Sequence, residues 1–363
     1  MKTLLAQVSG HGLGHWGQTA PVLAALQALQ PELRIVVRSA IDERLIRARL
    51  PSVDEVRHCD SDRGLVMSSA VGVLVAESHR NYLRELADWE RLVGEDCAVI
   101  EDVRPNLVLS NVGYRVLAAA ARLGVPAIAM SSLNWADVYR SYARQLPDWR
   151  RVHDNMRAAY AGAEPFIRLQ PGMPMPALER IVDVGPVAAR HHASAAEVAR
   201  VRATLGCGPG ESLLLAALGG IPTTLDTSRW PVLENTRWLF PPEIEGRLAN
   251  SLSWDPGLRF DQVVAAADLV LTKVGYGTML EAACHGTRIL YAARPDWPED
   301  RPLGDWLQAH TTVARIDWPS IERGTFGATL KTLLARPRAS PVEPSGNLQA
   351  ARILARHLHG RDS

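Results

Sequence analysis

The sequence predicts an α/β protein of two domains, each containing a parallel sheet covered by helices on both faces. Three observations support this fold class. Short apolar runs alternate with helical patterns along most of the 363 residues, as in strand–helix–strand units. Two of these runs, 4–8 and 269–272, lead through glycine-rich turns into helices. The length also suits two domains, each large enough for its own core.

In the first half of the chain, apolar runs that predict strands are separated by segments with helical periodicity. The predicted strands are 4–8, 33–37, 53–56, 107–109 and 127–130, and the predicted helices are 19–30, 42–50, 77–103 and 114–123. Gly124-Val125-Pro126 ends the last of these helices. Segments 172–176 and 184–187 are rich in glycine and proline and predict the linker.

The second half repeats the alternation. Its predicted strands are 213–218, 237–240, 269–272, 289–292 and 313–316, and its predicted helices are 194–205, 261–267, one ending at 285, 302–309 and 348–359. We therefore expect a first domain over 1–187, a second over 188–345, and a final helix within 346–363 that crosses back to the first domain.

Composition narrows the class of protein. The formal net charge of +1 is too small to indicate that the chain as a whole binds nucleic acid. The four cysteines are scattered without metal-ligand or disulfide-like spacing, which fits a reducing compartment. The first residues lack the features of a signal peptide, and no apolar run approaches the ~20 residues of a membrane helix. We expect a soluble cytoplasmic protein.

The turn after the first strand is Ser9-Gly10-His11-Gly12-Leu13-Gly14-His15. Glycines between a strand and a helix bring backbone N–H groups close to an anion. His15 adds a ring with an ordinary pKa of about 6.5 that can take a proton from a substrate. Two other interpretations stay open. One is a dinucleotide fingerprint without its third glycine, with Arg38 suited to NADP, and the other is a tight turn in which His15 is only structural.

The second glycine turn begins at Lys273 and continues as Gly275-Tyr276-Gly277-Thr278. Here the backbone can approach a diphosphate, Thr278 can donate a hydrogen bond, and the helix N-terminus is electropositive. Glu281 lies about one turn into the helix, where its carboxylate can accept two ribose hydroxyl protons. The alternatives are a first-turn acid that complements the helix dipole for Glu281, and a solvated strand end for Lys273.

These motifs carry a resemblance. The first turn, Gly219-Gly220 and the segment 275–281 resemble the landmarks of GT-B nucleotide-sugar glycosyltransferases, including the peptidoglycan N-acetylglucosaminyltransferase family. The motifs Ser131-Ser-Leu-Asn-Trp-Ala-Asp137 and Arg294-Pro-Asp-Trp-Pro-Glu-Asp-Arg301 resemble the glycosyltransferase-like N-terminal region of L-arabinokinases and its free-standing bacterial relatives. The resemblance covers nearly the whole chain and implies two Rossmann-like domains that face each other across a cleft.

The resemblance also implies roles for individual residues. The first domain becomes the acceptor side and the second the nucleotide-sugar donor side, with His15 as the base. Asn111 stands where relatives often have an aspartate that orients this histidine. Asp137 is the candidate substitute, and the alternative for Asp137 is a helix N-terminal acid. The residues implied in donor binding are Gly12, Gly14, Gly219, Gly220, Lys273, Gly275, Tyr276, Gly277, Thr278 and Glu281.

Three further patterns are open to more than one interpretation. Asp60-Ser61-Asp62 matches a triplet that holds a metal–diphosphate in other transferases, but we favour a chance acidic loop and expect no metal. His191-His192 has no third ligand nearby and is interpreted as linker surface. The segment 139–157 combines arginines with aromatic residues, so it is either a membrane-surface or polyanion patch or, more commonly, a solvated helix face.

The implied function is inverting transfer of a hexosyl or N-acetylhexosaminyl group from a UDP-sugar to a hydroxyl acceptor. The donor is a substrate, so no separate cofactor is expected. The acceptor can be a small molecule, a lipid-linked molecule or a polysaccharide. Two alternatives belong to other classes: a non-catalytic nucleotide-sugar-binding regulator, and an NADP-dependent oxidoreductase.

Overall fold

The computed structural model describes residues 1–60, 62, 64–191, 193–220, 225–241, 244 and 248–359. Within them, seven strands form a first parallel sheet in the order β3-β2-β1-β4-β5-β6-β7. These strands are β1 (Thr3–Val8), β2 (Arg34–Ser39), β3 (Glu55–His58), β4 (Leu107–Asn111), β5 (Ala127–Ser131), β6 (Phe166–Leu169) and β7 (Ile181–Val184). The helices between them are α1 (Gly14–Leu29), α2 (Glu43–Arg49), α3 (Val75–Ala87), α4 (Trp89–Val103), α5 (Arg115–Arg122), α6 (Trp135–Ala143) and α7 (Trp149–Tyr160).

The second sheet is also parallel, with six strands among the described residues in the order β10-β9-β8-β11-β12-β13. Its strands are β8 (Ser212–Ala217), β9 (Thr236–Leu239), β10 (Ser251–Leu252), β11 (Leu269–Lys273), β12 (Arg288–Ala292) and β13 (Val313–Ile316). The remaining helices are α8 (Ala195–Thr204), α9 (Phe260–Ala266), α10 (Tyr276–Cys284), α11 (Asp300–His310), α12 (Trp318–Arg323), α13 (Gly327–Ala335) and α14 (Gly346–Leu358).

The strand order explains why glycine turns lie where a ligand can bind. In the first sheet the order reverses between β1 and β4, which pair in parallel with Leu4 opposite Leu107. In the second sheet it reverses between β8 and β11, with Leu269 opposite Leu214. Loops that leave the carboxyl ends of such neighbouring strands diverge to opposite faces of the sheet and leave a crevice. The glycine turns follow β1, β8 and β11.

The sheets are the core of the molecule. Every residue of β1 is buried, as expected for a central parallel strand covered by helices on both faces. The central strands of the second sheet, β8 and β11, are likewise apolar and almost fully buried. The strand ends that carry the turns are therefore held on rigid supports.

The last helix belongs to the first sheet in space. Helix α14 packs against α1. Lys2 Nζ donates a hydrogen bond to the carbonyl oxygen of Leu358, and the backbone N–H of Gly185 donates one to Gln349 Oε1 at 2.7 Å. Residues at the two ends of the described chain thus complete one domain.

Some elements differ from the sequence-based expectation. The long helix predicted over 77–103 is two helices, α3 and α4, separated at Asp88. The segment 172–176, predicted as linker, connects β6 to β7 inside the first sheet. Neither of those strands was predicted, and neither were α12 and α13. Among the described residues, no helix combines the length and the apolar character needed to cross a membrane.

Candidate functional site

Three glycine turns from the two domains meet at one place. A Cβ on Gly220 would lie 3.4 Å from the backbone nitrogen of Leu13 and 3.6 Å from the Cα of Gly12. A Cβ on Gly277 would lie 3.5 Å from the Cα of Gly14. The turn after β1 thus lies within contact distance of the turns after β8 and β11. These glycines were predicted as site residues from the sequence, and the fold brings them together.

Two helices begin at this meeting point. Neither α1 nor α10 has a side-chain cap, and neither carries an acidic residue in its first turn. The N-cap residue of α10 is Gly275, and Gly277 and Thr278 lie in its first turn. The first N–H groups of a helix have no partner within the helix, so an uncapped N-terminus attracts an anion. The turns can therefore hold a phosphate group from both sides.

Lys273 lies between two of these turns. A Cβ on Gly219 would be 3.2 Å from its Cε, and one on Gly275 would be 3.6 Å from its Nζ. Burial, followed by the charge of Arg294, lowers the pKa of Lys273 to about 7. The interpretation of Lys273 as a solvated strand end is therefore wrong. Its ammonium is an enclosed cation beside the glycine turns.

Arg294 is a second enclosed cation, for which no individual role was predicted from the sequence. It follows β12, is 6% exposed, and its guanidinium stacks on Trp297 with 4.0 Å between its Cζ and the ring centroid. Its Nε and Nη2 have no hydrogen-bond partner among the described residues. Burial also lowers its pKa. A buried guanidinium with unused donors is poised to bind an anionic group.

His15 lies in the first turn of α1 and is held by Asn111, at the end of β4. Its Nδ1 is 2.8 Å from Asn111 Oδ1. Because the amide oxygen can only accept a hydrogen bond, Nδ1 carries the proton. Nε2 is therefore the nitrogen of the neutral ring that can accept a proton from a substrate.

The neighbours of Asn111 explain why this position carries an amide. Its Nδ2 donates to three oxygens: the His15 carbonyl at 3.3 Å, Gln18 Oε1 at 3.2 Å and Thr19 Oγ1 at 3.0 Å. An aspartate would offer the first two of these acceptors no hydrogen. Asn111 therefore orients the ring of His15 without placing a negative charge beside it.

The electrostatic surroundings of His15 differ from the sequence-based expectation. Burial lowers its pKa to about 4, against a smaller opposing effect of the hydrogen bond that Nδ1 donates to Asn111. The expected ordinary value of about 6.5 is wrong, because the ring is only 5% exposed. At neutral pH the imidazole is uncharged, which is the form a general base requires.

Asp137 does not orient His15, so that part of the prediction is wrong. It occupies the first turn of α6, where its Oδ2 accepts hydrogen bonds from Asn134 Nδ2 at 3.0 Å and from the Ala177 N–H at 3.2 Å. Its own N–H donates to Asn134 Oδ1 at 2.8 Å. This reciprocal arrangement makes Asp137 a helix-capping acid, the alternative considered from the sequence.

Glu281 lies in α10 and is paired across the domains. Its carboxylate forms an ion pair with Arg49, the last residue of α2, and Arg49 Nη2 lies 3.4 Å from Glu281 Oε2. Glu281 is 1% exposed. It lies beyond the first turn of α10, so its interpretation as a first-turn acid is wrong. Arg49 had no role in the sequence analysis.

The side chain of Tyr276 is engaged elsewhere. Its hydroxyl donates to the Gln170 carbonyl at 2.9 Å and accepts from the Val187 N–H at 3.0 Å. It therefore joins α10 to the β6–β7 connection of the first sheet and to the segment between the two sheets. Only the backbone of Tyr276 remains available at the helix N-terminus.

The two motifs that resemble the L-arabinokinase region meet across the cleft. Ser132 Oγ donates to Glu299 Oε1 at 2.6 Å, and Trp297 Nε1 donates to Glu299 Oε2 at 2.8 Å. Gln18 Nε2 donates to Ser132 Oγ at 2.8 Å. A chain of hydrogen bonds therefore leads from Asn111, beside His15, through Gln18 and Ser132 to Glu299, which lies near the enclosed cations Lys273 and Arg294.

The acidic triplet contributes Asp60 and Asp62 to the wall of a cavity that reaches this point, and His191 lies between β7 and α8. Asp60 contacts His58 in the first domain, with 3.3 Å between Oδ1 and Nε2. Asp62 lines a cavity of that domain. Ser61 and His192 lie outside the described residues, while His191 bonds Glu197 at 2.8 Å. Within the described ranges, no three histidine, cysteine, aspartate or glutamate side chains are grouped as a metal site would require.

Two other interpretations lose their basis in the structure. Arg38, the residue suited to NADP, is buried and bonds Asp96 Oδ1 at 2.6 Å. Tyr139, part of the proposed surface patch, is buried and its hydroxyl lies 2.7 Å from His79 Nδ1. The segment 139–157 is split between α6 and α7, so it forms no continuous amphipathic helix.

Comparison with known proteins agrees with this architecture. No protein-family model matches the sequence. The chain is 24% identical over 370 residues to the L-arabinokinase of Arabidopsis thaliana, across 98% of this chain and 34% of that protein. It thus spans about a third of the length of this relative.

Solved structures extend the likeness over whole chains. The glycotransferase of kitacinnamycin superposes with a TM-score of 0.65 at 16% identity, covering 98% of both chains. The UDP-GlcNAc 2-epimerase of Neisseria meningitidis, bound to UDP-GlcNAc, superposes with a TM-score of 0.60 at 13% identity, covering 99% of this chain and 100% of that one. Together with the two sheets, these likenesses show a GT-B fold, with two Rossmann-like domains facing each other.

Proposed function

We propose that the protein transfers a hexosyl or N-acetylhexosaminyl group from a UDP-linked donor to a hydroxyl acceptor, with inversion at the anomeric carbon. The observation that carries this proposal is the meeting of three glycine turns from both domains beside Lys273, with the neutral ring of His15 in the same turn region. This places groups suited to a diphosphate next to a group suited to taking a proton.

The positive charges and backbone donors of the site support the donor part of this proposal. The N-termini of α1 and α10 supply backbone donors, and Lys273 and Arg294 supply two positive charges. As the bond between the anomeric carbon and the diphosphate breaks, negative charge grows on the departing UDP. Fixed donors and cations in an enclosed site stabilise that charge. They also offset the charge of the diphosphate without a metal ion.

The tautomer of His15 supports the acceptor part of this proposal, because it leaves Nε2 free to accept a proton. The acceptor oxygen forms the new bond to the anomeric carbon from the face opposite the departing diphosphate, and its proton moves to His15 Nε2. Asn111 keeps Nδ1 protonated and the ring in place throughout. A single displacement of this kind inverts the configuration at carbon 1.

The decisive experiment measures binding and turnover together. Thermal-shift and calorimetric titration with UDP, UDP-glucose and UDP-N-acetylglucosamine test the donor site, because a bound ligand stabilises the folded protein. UDP release, followed with and without EDTA, tests the reaction and its independence from metal. Binding without UDP release over a broad acceptor set would favour the regulator. Conversion of the donor to an isomer would favour an epimerase, in line with one of the structural neighbours.

A further inference from the structure

The first domain contains a cavity of about 720 Å³ that reaches the meeting point of the glycine turns. His11 and Gly12 line it on one side, and Gly220 of the second domain also contributes. This volume is in the range of sites for small molecules. Under the proposed function, an acceptor bound in this cavity would lie beside the donor.

Among the charged groups in the described lining of this cavity, carboxyl groups outnumber guanidinium groups. Asp62 and Glu85 lie inside it, and Asp60 and Glu77 lie on more exposed parts of its wall. Burial raises the pKa of Asp62 to about 6 and that of Glu85 to about 7. For Asp62, burial outweighs the hydrogen bonds from Ser9 and the Gly64 backbone, and for Glu85 it outweighs the one from Tyr114.

Two polar atoms in the wall also lack partners. Tyr82 is only 6% exposed, and its hydroxyl has no hydrogen-bond partner among the described residues. Asp62 Oδ2 is buried and equally without a partner in that part of the chain. Buried polar atoms are normally paired. A ligand with several hydrogen-bonding groups would satisfy both.

The two arginines in the lining compensate this charge only in part, because Arg115 lowers the pKa of Asp62 and Glu85 by less than burial raises it. Arg115 is bound to Asp96, with 2.6 Å between Nε and Oδ2, and Asp96 also binds Arg38. Arg84 is exposed at the rim, with its Nη1 3.3 Å from Asn81 Oδ1. Glu85 accepts one hydrogen bond, from the Tyr114 hydroxyl at 2.7 Å. Four carboxyl groups thus face two guanidinium groups in the described lining, and one guanidinium is already shared.

We infer that the cavity binds a small hydroxylated acceptor that carries a positively charged amino group, and that Asp62 and Glu85 hold this group. The inference rests on the proposed function for the role of acceptor, but the binding itself does not require turnover. An ammonium group supplies both charge and donors to the carboxylates, whereas a neutral polyol supplies only donors. An anionic acceptor would be repelled.

With such an acceptor, the same bonds form and break as in the proposed transfer reaction. The amino group remains protonated and unreacted as an anchor, while one hydroxyl oxygen forms the bond to the anomeric carbon. The bond from that carbon to UDP breaks, and the hydroxyl proton moves to His15. The cavity thus selects the acceptor by its charge and leaves the chemistry at the glycine turns.

The test compares two cyclitols of the same ring size: 2-deoxystreptamine, which carries two amino groups, and myo-inositol, which carries none. Calorimetry on the full chain with UDP present, at pH 7.5, is expected to show about tenfold or greater preference for the amine, as a charge-assisted bond exceeds a neutral one. Glu85→Gln and Asp62→Asn should each reduce this preference and leave the affinity for myo-inositol nearly unchanged. Glu101→Gln, on the exposed face of α4, is the matched control and should change nothing.

Equal affinity for the two cyclitols, or tighter binding of D-glucuronate, would overturn the inference. So would a preference that persists in both cavity variants. UDP affinity, measured in each sample, keeps the two hypotheses apart. Loss of UDP binding in the unmodified protein counts against the proposed function, whereas intact UDP binding without amine preference counts only against the cationic acceptor.

Discussion

Arg49 and Glu281 form an ion pair that joins the two domains at the position proposed for the donor ribose. Arg49 ends α2 in the first domain, and Glu281 lies in α10 of the second. The glutamate side chain is 2% exposed and the arginine side chain 26%. In this conformation the carboxylate is engaged with the guanidinium, so a ribose must compete with Arg49 for Glu281.

This competition predicts opposite effects for the two partners. Glu281→Ala should weaken UDP binding by about 1–3 kcal/mol, because it removes hydrogen bonds to a charged group. Arg49→Leu should tighten UDP binding by about 1 kcal/mol, the scale of a partly exposed ion pair. Calorimetric titration with UDP measures both. Unchanged UDP affinity in a folded Glu281→Ala protein would remove this residue from the donor site.

The pKa of His15 should determine the pH below which the activity falls. A base must be unprotonated to accept a proton, so activity should fall only as the pH drops towards about 4, well below an ordinary histidine. His15→Ala should lower kcat by roughly 10²–10⁴-fold, the usual contribution of a general base, and leave UDP affinity nearly intact. UDP release across pH 4–8, with circular dichroism at each pH, makes the measurement. An acid limb near pH 6.5 in folded protein would contradict the buried neutral ring.

Because the pKa of Lys273 is close to neutral, we expect the protein to take up protons when UDP binds. The pKa of this lysine in the free protein is about 7, and a bound diphosphate stabilises the charged ammonium and raises that value. The affinity for UDP should therefore decrease as the pH rises above about 7. Calorimetry at pH 8 in phosphate and in Tris should give different apparent enthalpies, because the buffer supplies the proton.

Lys273→Met should abolish this dependence on buffer and weaken UDP binding. Lys331, exposed on α13, offers a control, and Lys331→Met should leave both properties unchanged. If both variants behave like the native protein, the lysine does not contact the diphosphate.

Asn111→Asp should destabilise the protein rather than improve it. The new carboxylate oxygen would face the His15 carbonyl and Gln18 Oε1, which now accept hydrogen bonds from Nδ2. The His15 carbonyl keeps a hydrogen bond from Thr19 Oγ1, and Gln18 Oε1 keeps one from Ser131 Oγ. The cost is therefore that of two lost hydrogen bonds and of a buried negative charge beside these oxygens, about 1–3 kcal/mol. Urea denaturation at pH 8 measures the change, with Asn81→Asp on the exposed face of α3 as the control. A more stable and more active Asn111→Asp protein would show that the amide is not required.

The sequence predicted the fold well because its strongest signals are local. The runs that form β1, β4, β5, β8, β11 and β12 are mostly apolar, as is typical of buried parallel strands. The glycine turns were recognised because they follow such strands directly. By contrast, β6 and β7 are four residues each and lie beside breakers at 171–176, so they resembled a linker.

The parts of the site that the sequence did not predict depend on distance in space. Arg49 lies 232 positions from Glu281, and no local pattern connects them. Asp137 has the same local sequence whether it orients a histidine or caps α6, so only the fold could decide. The pKa of His15 depends on how deeply the ring is buried, which a single sequence does not contain. The unpaired donors of Arg294 were likewise visible only once its surroundings were known.

The packing of α14 against α1 has a consequence for how the chain is made. Helix α1 carries His15, and one of its faces is covered by residues that leave the ribosome more than 300 positions later. The first sheet can form early in synthesis, but the domain that bears the proposed base stays incomplete until the last helix arrives. A nascent chain cut after residue 345 would expose apolar surface on α1 and offer a site to chaperones. Acquisition of the proposed activity is thereby linked to the synthesis of residues 346–358.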